Sequence, residues 1–314
     1  MNILSRRPSR LVLVGSILVD ILMYIDQMPE RGGDRIAQRA ILTTGGGFNV
    51  LAGAKKLGMP VAYAGRVGHG VMSSQVMHDL EQADIPLLLP RVSEADTGFD
   101  VGLVESDAER TFITSPGVEA ELGIHDLEAI ALKPGDAVYV SGYDLYYAVS
   151  GAALEAWLPE LGPEYLLILD PGPLVAEIDR TRLERIMQRV NILSLNARES
   201  HILTGSPLSA HAAKLLVPMI AHDGWVVARA GEQGCWLAHG EQEVSHLPAR
   251  QTQAIDTTGA GDTHVAALLA RLAAGDDMLQ AAYKANLAAS ISTERQGPVT
   301  GPTAGELEEA LSQS

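Results

Sequence analysis

The 314-residue chain holds one cysteine, Cys235, and few aromatics, which make up 4% of it. A single thiol forms no internal disulfide and no zinc cluster. A reducing, cytoplasmic setting is the matching expectation. Basic residues are scarce too. Against 39 Asp and Glu there are 23 Lys and Arg, a formal net charge of −16. Such a chain is poorly suited to nucleic acid, whose binding depends on Lys and Arg neutralising phosphates. A small anion is not excluded, because a pocket of backbone N–H groups binds phosphate whatever the net charge. Long apolar runs are also missing. The stretch from Leu11 to Ile25 is broken by Gly15, Ser16 and Asp20. Nothing approaches the ~20 apolar residues of a membrane span. The basic start MNILSRRPSR is followed by no small-residue cleavage signature.

Several catalytic patterns are absent as well. There is no Gly-x-x-x-x-Gly-Lys-Ser/Thr loop, no His-Glu-x-x-His, no nucleophile elbow and no protein-kinase signature set. The nine histidines show no metal-ligand spacing. His264 is the one near a motif; it either packs against its helix or tunes its surroundings.

What is present is a series of short apolar runs. Leu11–Val14, Val61–Ala64, Ala137–Val140, Leu166–Leu169, Ile192–Leu195 and Trp225–Ala228 are aliphatic-rich and mostly not alternating. Strands buried on both faces of a parallel sheet read this way. Stretches 47–57, 70–83, 150–160, 179–190 and 208–222 are long enough for crossover helices. The order predicts an α/β fold, a doubly wound, mostly parallel central sheet flanked by helices. Residues 31–44 and 97–115 break the pattern. Gly98–Val104 alternates, Ser106–Glu109 reads as a turn, and Arg110–Ile113 follows. Alternation predicts a sheet with one wet face, so both stretches are expected to form a small antiparallel β lid; ordinary surface hairpins are the alternative. The expected division is a core of residues 1–30, 45–96 and 116–314, and a lid of 31–44 and 97–115.

The string Asp256-Thr-Thr-Gly-Ala-Gly-Asp262 precedes a strong helix former that stops at Gly275. The string therefore sits at a helix N-terminus. Glycines there let backbone approach a ligand, and the first-turn N–H groups with the helix dipole make an anion site. Asp262 is either a capping acid or a group that faces an attacking hydroxyl. In phosphoryl transfer a carboxylate accepts the alcohol's proton while fixed donors hold the developing charge. Asp262 is thus the candidate base, and Gly259, Ala260 and Gly261 with Asp262 the candidate anion hole.

At these residues the chain resembles the ribokinase-like, or PfkB-type, carbohydrate kinases. The resemblance runs from Gly15 to about Pro302. It includes an N-terminal signature, Gly45-Gly-Gly-Phe-Asn49 with Gly58 and Gly68 at the family's spacing. Leu51 departs from it, standing where the signature has a small residue. The resemblance implies ATP and Mg²⁺ as cofactors, with K⁺ in some relatives. It assigns Asp20, Gly45, Gly46 and Asn49 to the sugar, and Thr97 and Arg110 to the substrate side of the lid. Each has a plainer alternative: a strand-end acid for Asp20, a tight turn for Gly45-Gly46, an exposed ion pair for Arg110. Asn196 and Glu199, three apart and expected on one helix face, resemble the motif that places Mg²⁺ and phosphate, with metal contact directly or through water. Arg229, Gly231 and Gly234 match the nucleotide-side loop, although many members have Thr at Arg229. Asn286 would line the adenosine pocket, or else be a helix-surface residue. Asp256, with carbonyls of Ser292–Gly297, would hold K⁺.

The expected activity is ATP-dependent phosphorylation of a hydroxymethyl group on a sugar. A nucleoside kinase of the same family and a non-catalytic sensor are the alternatives. Few aromatics favour a simple sugar; Tyr143 and Phe99 keep a nucleoside open. A sugar-phosphate acceptor would need a cationic pocket, for which Arg110 and Arg39 are the lid-side candidates. A homodimer through the lid is expected by analogy with such folds. Neither nucleic acid nor membrane is an expected partner.

Overall fold

A computed structural model describes residues 7–93, 95–105 and 110–313; the expected turn Ser106–Glu109 lies outside the described residues. The six apolar runs all become strands of one sheet. They are β1 (Arg10–Leu13), β4 (Val61–Tyr63), β7 (Asp136–Ser141), β8 (Leu166–Asp170), β9 (Ile192–Asn196) and β10 (Trp225–Arg229). Two further strands, β11 (Cys235–Ala238) and β12 (Ser245–Leu247), extend it antiparallel at one edge. The order is β12-β11-β10-β9-β8-β7-β1-β4, with β4 through β10 parallel.

Strand alternation divides the core between the two faces. Leu11, Leu13, Tyr139, Ile168 and Val227 pack with the helices Phe48–Lys56, Ala260–Ala274 and Met278–Thr293. Val12, Val138, Leu167, Leu193 and Val226 pack with Leu154, Leu183 and Leu216 of helices on the other side. Each fully buried aliphatic contributes roughly 1.5–3 kcal/mol, so the sheet is rigid and its upper edge is a fixed platform. Chain order changes direction between β1 and β7, and ligands of open α/β sheets bind in the crevice beyond the strand ends at such a point. Among the described residues no helix is long and apolar enough to cross a membrane.

The second sheet has the order β3-β2-β5-β6, from β2 (Val19–Tyr24), β3 (Arg39–Thr44), β5 (Phe99–Val104) and β6 (Arg110–Ser115). Its outer pairings are antiparallel and its central pair, β2 with β5, is parallel. The lid boundary at residue 30 falls too late, since β2 already belongs to the lid. The run Leu11–Ile25 looks like one apolar segment, but the break at Gly15-Ser16 separates a core strand from a lid strand. On β2 through β6 the register puts Asp20, Asp100 and Thr114 in one row, and Leu22, Gly102 and Phe112 in the next. That face lies over the core sheet's strand ends.

Candidate active site

The cleft between lid and core encloses about 800 Å³, enough for a nucleotide and a small second ligand. Its floor follows from the sheet: Ser141, Asp170, Asn196 and Arg229 are the last residues of β7, β8, β9 and β10, and all four line the cleft. Arg229 Nη2 donates to Asp170 Oδ2 at 2.8 Å. Asn196 does not share a helix face with Glu199. It is the N-cap of the Ala197–Thr204 helix, with extended backbone, and the two form a capping box. Asn196 Nδ2 donates to Glu199 Oε1 at 2.6 Å and Glu199 N to Asn196 Oδ1 at 2.9 Å. Burial and the charge of Asp170 push the Glu199 carboxyl well above its ordinary range, against the hydrogen bond from Asn196 N. Asp170, Glu199 and Arg229 thus meet at one corner of the cleft, with Arg229 paired to Asp170.

The helix Ala260–Ala274 begins at Gly259, whose φ of 70° is left-handed. A Cβ there would collide with Pro298 O, so both backbone conformation and space demand glycine. No side chain caps this helix, and Gly259, Ala260, Gly261 and Asp262 all line the cleft. Asp262 is not the capping acid of the plainer reading. Its Oδ2 instead accepts from Asn49 Nδ2 at 3.1 Å. Burial drives its pKa up to about 6; Asp170 adds to the rise, while the Asn49 hydrogen bond and Arg229 oppose it. The Arg229 guanidinium lies against Gly261, where it adds positive charge beside the turn.

At the lid end, Asp20 and Asp100 face each other in register and both line the cleft. Burial and mutual proximity raise the Asp20 pKa strongly, and burial raises that of Asp100 less. Gly46 lines the cleft. Gly45 does not; a Cβ on it would strike the Asp20 carboxylate, so it makes room for the side chain that does. Thr97 is buried behind the wall, its Oγ1 accepting from Gly68 N at 3.3 Å and sitting 3.1 Å from Ser73 Oγ. Arg110 is neither an exposed ion pair nor a cleft wall. Its Nη2 donates to Asp256 Oδ1, tying lid to core in a half-buried pair.

Asp256 is already engaged by donors of the chain itself. Its carboxylate already accepts from Thr258 N and Oγ1 at 2.9 and 2.6 Å, from Gly297 N at 3.0 Å and from Arg110. The nearby carbonyls are engaged too: Thr293 O takes Ile255 N and Asp256 N, and Ser292 O takes Thr300 Oγ1. Burial raises the Asp256 pKa, but these donors and the arginine outweigh it and hold the group below the ordinary range.

On the opposite side, Gly231 and Gly234 line the cleft, as does Asn286. Asn286 is buried rather than on a helix surface. Its Nδ2 donates to Leu247 O at 2.8 Å, and its Oδ1 lies 3.1 Å from His264 Nε2. Burial and Arg229 drive the His264 pKa down to about 3, so the ring is neutral, and Nε2–H is the donor to Asn286. Sequence reasoning missed Asp100, Phe112, Thr114, Tyr139, Tyr147 and Asp170. Two left a trace: Asp170 ends a buried strand just before Pro171-Gly172, and Asp100 sits on the polar phase of an alternating strand.

A family described as pfkB family carbohydrate kinase matches residues 8–304. An uncharacterized sugar kinase of Escherichia coli, YegV, is 31% identical, covering 97% of this chain and 94% of its own. A deoxyribokinase of Salmonella typhi is 26% identical over 96% and 98%. The structure of a ribokinase from Thermotoga maritima superimposes with a TM-score of 0.81 at 24% identity, covering 96% of this chain and 99% of that one.

Proposed function

We propose that this chain, which belongs to the pfkB family of carbohydrate kinases, transfers the terminal phosphoryl group of ATP to a hydroxymethyl oxygen of a sugar or sugar-like acceptor. The observation that carries the reading is the place of Asp262. It stands on the cleft wall within the first turn of an uncapped helix, between the Asp20–Asp100 end and the Arg229 end. An acceptor hydroxyl held by Asp20, Gly46 and Asn49 lies next to Asp262, which takes its proton as the oxygen attacks phosphorus. The bond from phosphorus to the bridging oxygen of ADP breaks. The N–H groups of Gly259 to Asp262 and the Arg229 guanidinium hold the charge on the transferred group. The lid excludes water.

The carboxylates on the cleft wall that would face a divalent cation are Glu199 and Asp170; among the described residues no cluster of three or more carboxylate, histidine or cysteine ligands forms a cage for one. Glu199 is already engaged with Asn196, so Mg²⁺ would be held there through water and the nucleotide's own phosphates. Bound Mg²⁺ neutralises charge on the triphosphate. Asn286, Gly231 and Gly234 would shape the adenosine side, with Asn286 fixing the Leu247–Pro248 backbone.

A nucleoside acceptor is the second reading, favoured by Phe112, Tyr143 and Tyr147 on the acceptor wall. The lid's outer face leaves Leu42 and Ile113 exposed, which supports a homodimer through the lid. ATP consumption across a panel of sugars and nucleosides, with Asp262→Asn as control, tests the reading. Acceptor-dependent ADP release lost in the variant is expected. ADP release that is independent of acceptor, or unchanged in the variant, would overturn it.

A further inference from the structure

The acceptor end of the cleft offers hydrogen-bond acceptors to a ligand and no charged donor. Asn49 is nine-tenths buried, spends its Nδ2 on Asp262, and leaves its Oδ1 buried without a partner. Asp100 Oδ1 is likewise buried and unpartnered. Asp20 lies opposite Asp100 in register on the parallel pair of β2 and β5. Like charges directly opposite on neighbouring strands are destabilising. A pair kept on a cleft wall breaks that local rule, and such breaks concentrate at functional sites. Orphaned buried acceptors cost free energy, and a ligand's donors would recover it.

The cations of this region are elsewhere. Among the described residues, the basic side chains lining the cleft are Arg229 and Arg250. Arg229, at the end of β10, lies against the turn at Gly261 and is paired with Asp170, and Arg250 pairs with Glu294. The lid arginine Arg110 is committed to Asp256, and Arg39 lies over the Tyr24 ring, 5.6 Å from its centroid. A carboxylate or phosphate on the acceptor would therefore meet Asp20, Asp100 and Asn49 Oδ1 with no counter-charge.

We infer that Asp100 is a specificity-determining residue: with Asp20 and Asn49 it grips adjacent hydroxyls of an acceptor that bears no acid group, and it rejects sugar acids and sugar phosphates. This deepens the kinase reading and rests on its acceptor subsite. Replacing Asp100 by Asn keeps the shape and removes the charge. It weakens the grip on hydroxyls and the repulsion of anions together.

The test uses the full chain and matched acceptors: ribose with ribonate and ribose 5-phosphate, fructose with fructose 6-phosphate, and 2-keto-3-deoxygluconate. Binding is read by thermal shift with a non-hydrolysable ATP analogue, and turnover by ADP release. Shifts from uncharged members alone are expected. Asp100→Asn should raise the dissociation constant or KM of the bound sugar about tenfold, the loss of one charge-assisted hydrogen bond. The KM for ATP should hold, and discrimination against its acid should narrow. The melting curve without ligand reports whether the variant folds, and Asp100→Ser serves as a second variant. The inference is overturned if an acid or phosphate binds as well as its uncharged partner, or if both variants leave the acceptor constants unchanged. Binding is read without transfer. Selective binding without turnover therefore counts against the kinase reading while sustaining the role of Asp100.

Discussion

Asn49 and Asp262, 213 residues apart, meet at 3.1 Å through Nδ2 and Oδ2. One comes from the first turns of a helix behind the N-terminal glycines and the other from the phosphate turn. The hydrogen bond joins the acceptor side of the cleft to the proposed base. It also opposes the burial that lifts the Asp262 pKa to about 6.

Removing that donor should move the base. Asn49→Ala is expected to shift the acid limb of the kcat/KM profile upward from near pH 6, because the ionised carboxylate loses its stabilising partner. A pH–rate series over pH 5–8 measures this. An unmoved limb would separate Asn49 from Asp262 in function.

Asp262→Asn keeps the shape of the turn and deletes the base. Turnover should fall by roughly 10²–10⁴-fold. The thermal shift from an ATP analogue should persist, since the N–H groups and Arg229 are untouched. Near-normal turnover would remove Asp262 from proton transfer.

Arg110 supplies the positive charge at Asp256, so no added monovalent ion is required there. Turnover should be equal in K⁺ and Na⁺ buffers of matched ionic strength. Arg110→Ala should raise the acceptor KM several-fold and speed amide exchange in β5 and β6, as a lid that loses its tie opens more often. An activation by K⁺ of the unmodified chain would contradict the occupied carboxylate.

Mild acid should stabilise the fold through its buried carboxyls. Burial raises Asp262 and Asp144 from an ordinary 3.8 to about 6. The folded state therefore binds more protons than the unfolded one between these values. The stability gained is fully present below about pH 3.8 and lost as pH rises through 6. Asp256, Asp96 and Asp276 are held low instead, and what they contribute disappears in stronger acid. His264, held down to about 3, works the other way over this window, because the unfolded ring protonates near 6.5 and the folded one does not; from pH 7.5 to 5.5 the melting temperature of the unliganded chain should therefore gain a few degrees relative to that of Asp262→Asn, on the order expected for ~1 kcal/mol. An equal change in the two proteins would contradict the buried carboxyls.

The core sheet was legible because strands buried on both faces leave aliphatic runs that need no context. The phosphate turn was legible because glycines at a helix start have a local reason to be there. Edge strands β11 and β12 were not, being only four and three residues long. Lid strand β2 hid inside the Leu11–Ile25 run. Which site residues touch a ligand was the hardest question. Gly45 and Thr97 sit beside the cleft and shape its wall, while Asp100 and Asp170 face it. That difference is set by pairings between segments far apart in sequence. Arg110 could not be placed without knowing that β6 crosses above Asp256.

That crossing makes the acceptor roof and the triphosphate cradle one mechanical unit. If the proposed transfer is right, a sugar gripped by the roof would be fastened through this tie to the residue that opens the cradle before any separate closing step. Water would be too small to span both, so under the proposed transfer idle hydrolysis of the nucleotide should be slow.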